Sequence, residues 1–64
     1  MNEFKFLTAK EVAEMLKVSQ AKAYEIVRKM NAEMEAMGYM TVRGRINAAY
    51  FYKKTNYHER EEVN

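Results

Sequence analysis

The stretch Ala13-Glu14-Met15-Leu16-Lys17-Val18-Ser19-Gln20-Ala21-Lys22-Ala23-Tyr24-Glu25-Ile26 decides the fold of this chain. It sets a small residue, a tight turn and the start of a second helix at the spacing of a helix-turn-helix. A bulky side chain would push two crossing helices apart, so Ala13 suits the contact point, and Val18 plugs the angle between them. Ser19 is placed to cap the second helix by accepting a bond from a free backbone N–H. Ala23 and Ile26 then fall on the face that packs back onto the first helix. Gln20, Ala21, Tyr24, Glu25 and Arg28 are left facing outward, the position from which a recognition helix presents side chains to base edges and phosphates.

Upstream, Thr8-Ala9-Lys10-Glu11 has the form of a capping box, and it opens a helix whose apolar face is Val12, Ala13 and Leu16. Before it, Glu3-Phe4-Lys5-Phe6-Leu7 alternates polar and apolar residues, as a short strand does. Downstream, apolar residues recur at Ala23, Ile26, Val27, Met30, Met34 and Met37, which predicts a helix over residues 20–37 ended by Gly38 in a left-handed cap. At that length the second half of the helix must bury its methionine stripe against something else. The candidate is Tyr39-Met40-Thr41-Val42-Arg43-Gly44-Arg45-Ile46, read as two short strands joined at Gly44, which takes a positive φ without strain. Its tip is Arg43-Gly44-Arg45, well placed to reach an adjacent groove or phosphate. Asn47 is positioned to cap a last short helix running through Lys54, with Tyr50 and Phe51 toward the core and Lys53 and Lys54 complementing its dipole. The expected fold is therefore α+β, a winged helix-turn-helix of two main helices, a β-hairpin wing and a short C-terminal helix. The domain spans residues 1–58, followed by a frayed tail at 59–64.

The chain has 64 residues, near the lower limit for folding without a staple. It has no cysteine, so a disulfide framework and a thiolate zinc site are excluded, and a reducing cytoplasmic setting is expected. No apolar run approaches the roughly 20 residues that span a bilayer, and no signal peptide is evident, so no membrane partner is expected. Charge is unevenly placed. Residues 1–35 balance six basic against six acidic side chains, whereas residues 36–58 carry Arg43, Arg45, Lys53 and Lys54 with no acid, and the last six residues sum to minus two. A localised basic patch is the electrostatic footprint of a phosphate backbone; ordinary surface charge is the bland alternative.

The sequence resembles the small winged helix-turn-helix proteins related to the MerR regulators, and among them the excisionases of phages and mobile elements. The resemblance rests on Leu7-Thr8-Ala9-Lys10-Glu11-Val12-Ala13-Glu14-Met15-Leu16-Lys17-Val18-Ser19, close to the family's opening pattern Leu-Thr-x-x-Glu-Val-Ala-x-x-Leu-x-Val-Ser. It rests also on Gly38 through Ile46 followed by Tyr50-Phe51, which looks like the family's wing and closing helix. Two positions depart: Lys17 stands where glycine is usual, and Glu25 follows Tyr24 where an arginine is common. The resemblance implies binding of double-stranded DNA, by an accessory factor that shapes DNA for a recombinase or integrase, or by a small transcriptional repressor.

The DNA-contacting candidates are Ser19, Gln20, Ala21, Lys22, Tyr24 and Arg28 on the second helix, with Arg43, Gly44 and Arg45 on the wing. Arg28 and Lys22 suit phosphates, because a charge near the groove wall gains attraction without exact geometry. Gln20 has the donor–acceptor pair for a two-point contact with adenine, but an exposed glutamine at a helix start needs no function. Tyr24 either bonds a phosphate through its hydroxyl or simply lies on the surface. Glu25 pairs with Lys22 or Lys29 at helical spacing, or accepts from a cytosine amino group. The six methionines read as core filler.

No catalytic constellation is present in the sequence. The chain has no aspartate, no cysteine and a single histidine, His58, so a triad or metal cluster would need glutamates alone. No enzymatic activity, cofactor or metal is expected. The competing class is a protein-interaction module, in which the helix-turn-helix is scaffold and the methionine-bearing helix docks a partner. Two separated cationic points favour DNA, since a docking surface needs neither. The shortness of the chain favours an accessory factor that lines up copies on adjacent sites over a regulator with an added sensing domain.

Overall fold

Thr8 ends one element and begins the next. In the computed structural model, which describes residues 5–56, strand β1 (Phe6–Thr8) runs directly into helix α1 (Ala9–Leu16). The Thr8 hydroxyl accepts from the Glu11 N–H at 3.1 Å, and the Glu11 carboxylate accepts from the Thr8 N–H at 2.9 Å. The capping box read from the sequence is thus complete, and it satisfies two backbone donors that the first turn leaves open.

α1 stops at Lys17, whose φ of 60° and ψ of 48° lie in the left-handed region. The N–H groups of Lys17 and Val18 both turn back onto the Ala13 carbonyl, the latter at 3.0 Å. A lysine therefore holds the left-handed position that ends α1, and the turn closes with it in place. Ser19 caps helix α2 (Gln20–Ala36), accepting from the Lys22 N–H at 3.1 Å. The two helices meet where expected, with Ala13 and Ala23 buried and Val18 packed against the core.

The buried face of α2 is Ala23, Val27, Asn31 and Met34. This corrects the expected stripe. Steps of four, four and three residues follow one line along the helix, which leaves Ile26 and Met30 half-buried at its margins. Met37 lies past the last turn and is 56% exposed, because the chain swings away there. Gly38, at φ 95°, supplies the left-handed cap. Its N–H bonds the Glu35 carbonyl at 2.9 Å and the Tyr39 N–H bonds the Met34 carbonyl at 3.0 Å, the paired bonds of a Schellman motif.

The hairpin differs from its expectation. Residues 39–41 form no strand, and only Val42 bridges Arg45 across the Arg43–Gly44 turn. That turn closes with a 3.1 Å bond from the Arg45 N–H to the Val42 carbonyl, and Gly44 sits at φ 77°, as the third position of a type II turn requires. Strand β2 (Arg45–Asn47) instead takes β1 as its antiparallel partner, with Phe6 opposite Asn47, Leu7 opposite Ile46 and Thr8 opposite Arg45. Burial decides the pairing. Leu7 and Ile46 both face the core, whereas Tyr39 and Met40 are largely exposed and bring no apolar face to cover. The strand expected over residues 3–7 shifts to Phe6–Thr8; Glu3 and Phe4 lie outside the described residues, as do His58 and the frayed tail expected at 59–64.

Asn47 closes β2 and caps helix α3 (Ala48–Thr55), accepting from the Tyr50 N–H at 3.0 Å. Phe51 is fully buried and Tyr50 half-buried, with Lys53 and Lys54 in the last turn. Phe51, Ile46, Val12 and Val27 are the largest sealed side chains, so all three helices and the small sheet share one core.

Candidate nucleic-acid interface

The N-terminal half of α2 presents Ser19, Gln20, Ala21, Lys22, Tyr24, Glu25 and Arg28 to solvent, as the helical spacing requires. Opposite them stands the Arg43–Gly44 turn. Between the two runs a concave groove: Ala21, Tyr24, Glu25, Arg28, Ala32 and Glu35 line it from α2, Thr41, Arg43 and Gly44 line it from the turn, and the buried Val27 and Asn31 reach it from the core.

Five of the expected site residues, Ala21, Tyr24, Arg28, Arg43 and Gly44, come together on this groove. The other four stand apart from it. Ser19 and Gln20 are exposed at the start of α2, and the Ser19 hydroxyl is engaged in the cap. Lys22 lies 3.5 Å from the Glu25 carboxylate, one of the two pairings open to Glu25 in the sequence. Arg45 is a correction to the expected tip. It belongs to β2, opposite Thr8, and the tip consists of Arg43 and Gly44 alone. A two-residue turn has no third position to give it.

Polar ties fasten the turn to the helix. The Asn31 side-chain amide donates to the Val42 carbonyl at 3.1 Å and to the Arg45 carbonyl at 2.9 Å. The Thr41 hydroxyl donates to the Glu35 carboxylate. Gly44 lies over Tyr24, such that a Cβ there would come within 3.9 Å of the Tyr24 ring. Tyr24, Arg28, Asn31 and Glu35 thus form one stripe along α2, at steps of four, three and four residues, that faces the turn. Asn31 is absent from the residues singled out by sequence. Its signal is a lone amide on the apolar line between Val27 and Met34.

The charges divide accordingly. Glu25 has Lys22 and Glu35 has Thr41, while neither Arg28 nor Arg43 has an ion-pair partner among the described residues. On another side of α2, the Tyr50 hydroxyl donates to Glu33 at 2.7 Å and the Lys54 ammonium stands 3.6 Å from the same carboxylate. The Tyr50 hydrogen bond, with help from the Lys54 charge, holds the Glu33 carboxyl below its usual range, and the same bond pushes the Tyr50 phenol up. Lys54 is therefore tied within the protein by an acid from outside its own segment. Among the described residues no group of His, Cys, Asp and Glu side chains could hold a metal ion, and no helix is long and apolar enough to cross a membrane.

The sequence is 46% identical over 46 residues to the ICEBs1 excisionase of Bacillus subtilis (strain 168), a match covering 72% of this chain and 72% of that protein. No family model matches the sequence, and no solved structure matches the fold. The match spans most of both proteins. The chain belongs to the excisionase family.

Proposed function

We propose that this chain is a recombination directionality factor of a mobile element, a non-enzymatic protein that binds double-stranded DNA and shapes it for a recombinase. In this reading the fold is a winged helix-turn-helix of the MerR-like kind. α2 enters the major groove, with Gln20 and Ala21 toward base edges and Ser19, Lys22, Tyr24 and Arg28 toward phosphates and the groove wall. The Arg43–Gly44 turn is the wing, and Arg43 and Arg45 reach the flanking backbone or a narrow minor groove, whose enhanced negative potential attracts arginine. The Lys22–Glu25 pair does not remove Lys22 from this set, because an exposed ion pair is worth only about 0–1 kcal/mol and a phosphate competes for the ammonium. Copies bound at adjacent sites would reinforce one another and bend the DNA, in the cytoplasm where the element resides.

The observation that carries the reading is the pair Arg28 and Arg43. They line opposite sides of one groove, and neither has an ion-pair partner among the described residues. The test is fluorescence anisotropy on duplexes from the ends of the host element, over a salt series. Removing a cation that neutralises one phosphate should lower the log–log salt slope by about 0.9, so Arg28→Ala and Arg43→Ala should each flatten it by roughly that amount. Adding the protein to the element's recombinase should also raise the yield of excised circle. Affinity indifferent to salt, with excision unchanged by the protein, would overturn the reading.

A further inference from the structure

We infer that Asn31 is a positioning residue for the DNA-binding surface: its side-chain amide locks the Arg43–Gly44 turn against α2 and so sets where Arg43 stands relative to Arg28. The inference rests on the function proposed above and adds a component to it.

Asn31 is the one polar residue in the buried set among the described residues, at 8% exposure. A buried amide is costly unless bonded, and here both of its N–H groups have partners. Those partners are the carbonyls of Val42 and Arg45, the two residues that flank the turn. Because both partners are acceptors, only the NH₂ end of the side chain fits there. The Val42 carbonyl also accepts the Arg45 N–H, so both of its lone pairs are engaged and the turn is closed twice, once by its own backbone and once by the helix.

The need for such a tie follows from the missing first arm. Residues 39–41 have no strand partner, and a single bridge at Val42 precedes the turn. Apolar packing is non-directional, so a leucine on the line between Val27 and Met34 would cover the core but would not fix the rotation of the turn. Two directed bonds do. Thr41 on Glu35 and Gly44 over Tyr24 meet the same stripe of α2 on either side of Asn31. Arg28 sits on that stripe and Arg43 at the turn, so the tie at Asn31 joins the two cations into one rigid arrangement.

The test is a double-mutant cycle on duplex affinity, run well below the melting temperature with folding checked by circular dichroism. Asn31→Leu keeps an apolar side chain on the buried line of α2 and removes the directed bonds to the Val42 and Arg45 carbonyls. In the parent, Arg43→Ala should weaken binding about tenfold; in the Asn31→Leu background it should cost less than about threefold, because Arg43 is no longer held in place. Arg28→Ala should cost the same factor in both backgrounds, which a general loss of structure would not produce. An equal cost of Arg43→Ala in both backgrounds would overturn the inference. A second measurement needs no variant and no DNA: in the unmodified protein, the Asn31 side-chain amide protons should exchange with water at least tenfold more slowly than those of the exposed Asn56. Unprotected Asn31 protons would refute the tie itself. Protected protons in a protein that binds no duplex would leave the tie standing and refute the proposed function instead.

Discussion

Replacing Lys17 by glycine isolates the cost of the turn between α1 and α2. Lys17 holds φ 60° and ψ 48°, where the Cβ of an L-residue crowds the following carbonyl at a cost of about 1–2 kcal/mol. Glycine escapes that strain but loses about 0.5–1 kcal/mol more backbone freedom on folding, which leaves roughly 0.5–1 kcal/mol in its favour. Either replacement also removes an ammonium beside the C-terminus of α1, worth about 0.3–1 kcal/mol. The alanine variant corrects for this, since it loses the charge and keeps the strain. Lys17→Ala should therefore melt below the parent, and Lys17→Gly should melt above Lys17→Ala by roughly 2–8 °C, given about 4–8 °C per kcal/mol for a domain of this size. Calorimetric melts of the three proteins in one buffer provide the comparison. If the glycine variant melted with or below the alanine variant, the left-handed backbone at Lys17 would carry no strain and the reasoning would fail.

Three further outcomes are expected. Gly44→Ala should destabilise by about 1 kcal/mol in urea titration, through backbone strain at φ 77° alone, since its new methyl group meets only the Tyr24 ring at 3.9 Å; a loss of several kcal/mol would mean that the site is sterically closed. Met34→Ala should cost about 2–5 kcal/mol because the side chain is buried, whereas Met37→Ala should change stability by less than about 0.5 kcal/mol, and similar melting of the two would contradict the corrected face of α2. Glu33 has a folded pKa below its unfolded one, so its contribution is present above the unfolded value and disappears as acid protonates it in the native state; Tyr50 has a raised one, so its contribution disappears at alkaline pH as the phenol ionises. Melting temperature should thus fall at both ends of a pH series, and Tyr50→Phe should flatten the alkaline limb and shrink the acid one.

What is legible in the sequence is local. Thr8 with Glu11, Ser19 before a helical run, Gly38 after one and Asn47 before another are short-range chemistry, complete within four or five residues, and each cap forms where its residues stand. The corrections concern pairings across distance. Nothing in residues 39–46 reveals that β1, some forty positions earlier, competes for β2 and wins by burying Leu7 against Ile46. The apolar repeat in α2 reads through its methionines, yet the line that faces the core passes through an asparagine whose partners become visible only when the turn is folded over it. At the candidate site, the outward face of α2 follows from periodicity alone. The separation of Arg43 in the groove from Arg45 on the strand does not, because it depends on the turn having two residues rather than three.

Thr8 and Asn47 are each both the last residue of a strand and the cap of a helix, and this double duty limits where the chain tolerates a change in length. A residue inserted between β1 and α1, or between β2 and α3, would have to unpair a three-residue strand or strip a helix of its cap, and a ladder so short has no reserve to absorb the slip. Lys17 and Ser19 leave the α1–α2 turn equally little slack. Residues 39–41 are different: they lie outside helix and strand, and Met40 is 92% exposed. Insertions and fused segments should therefore be accommodated at Met40, between the Tyr39 N–H bonded to Met34 and the Thr41 hydroxyl bonded to Glu35, and at few other internal positions among the described residues.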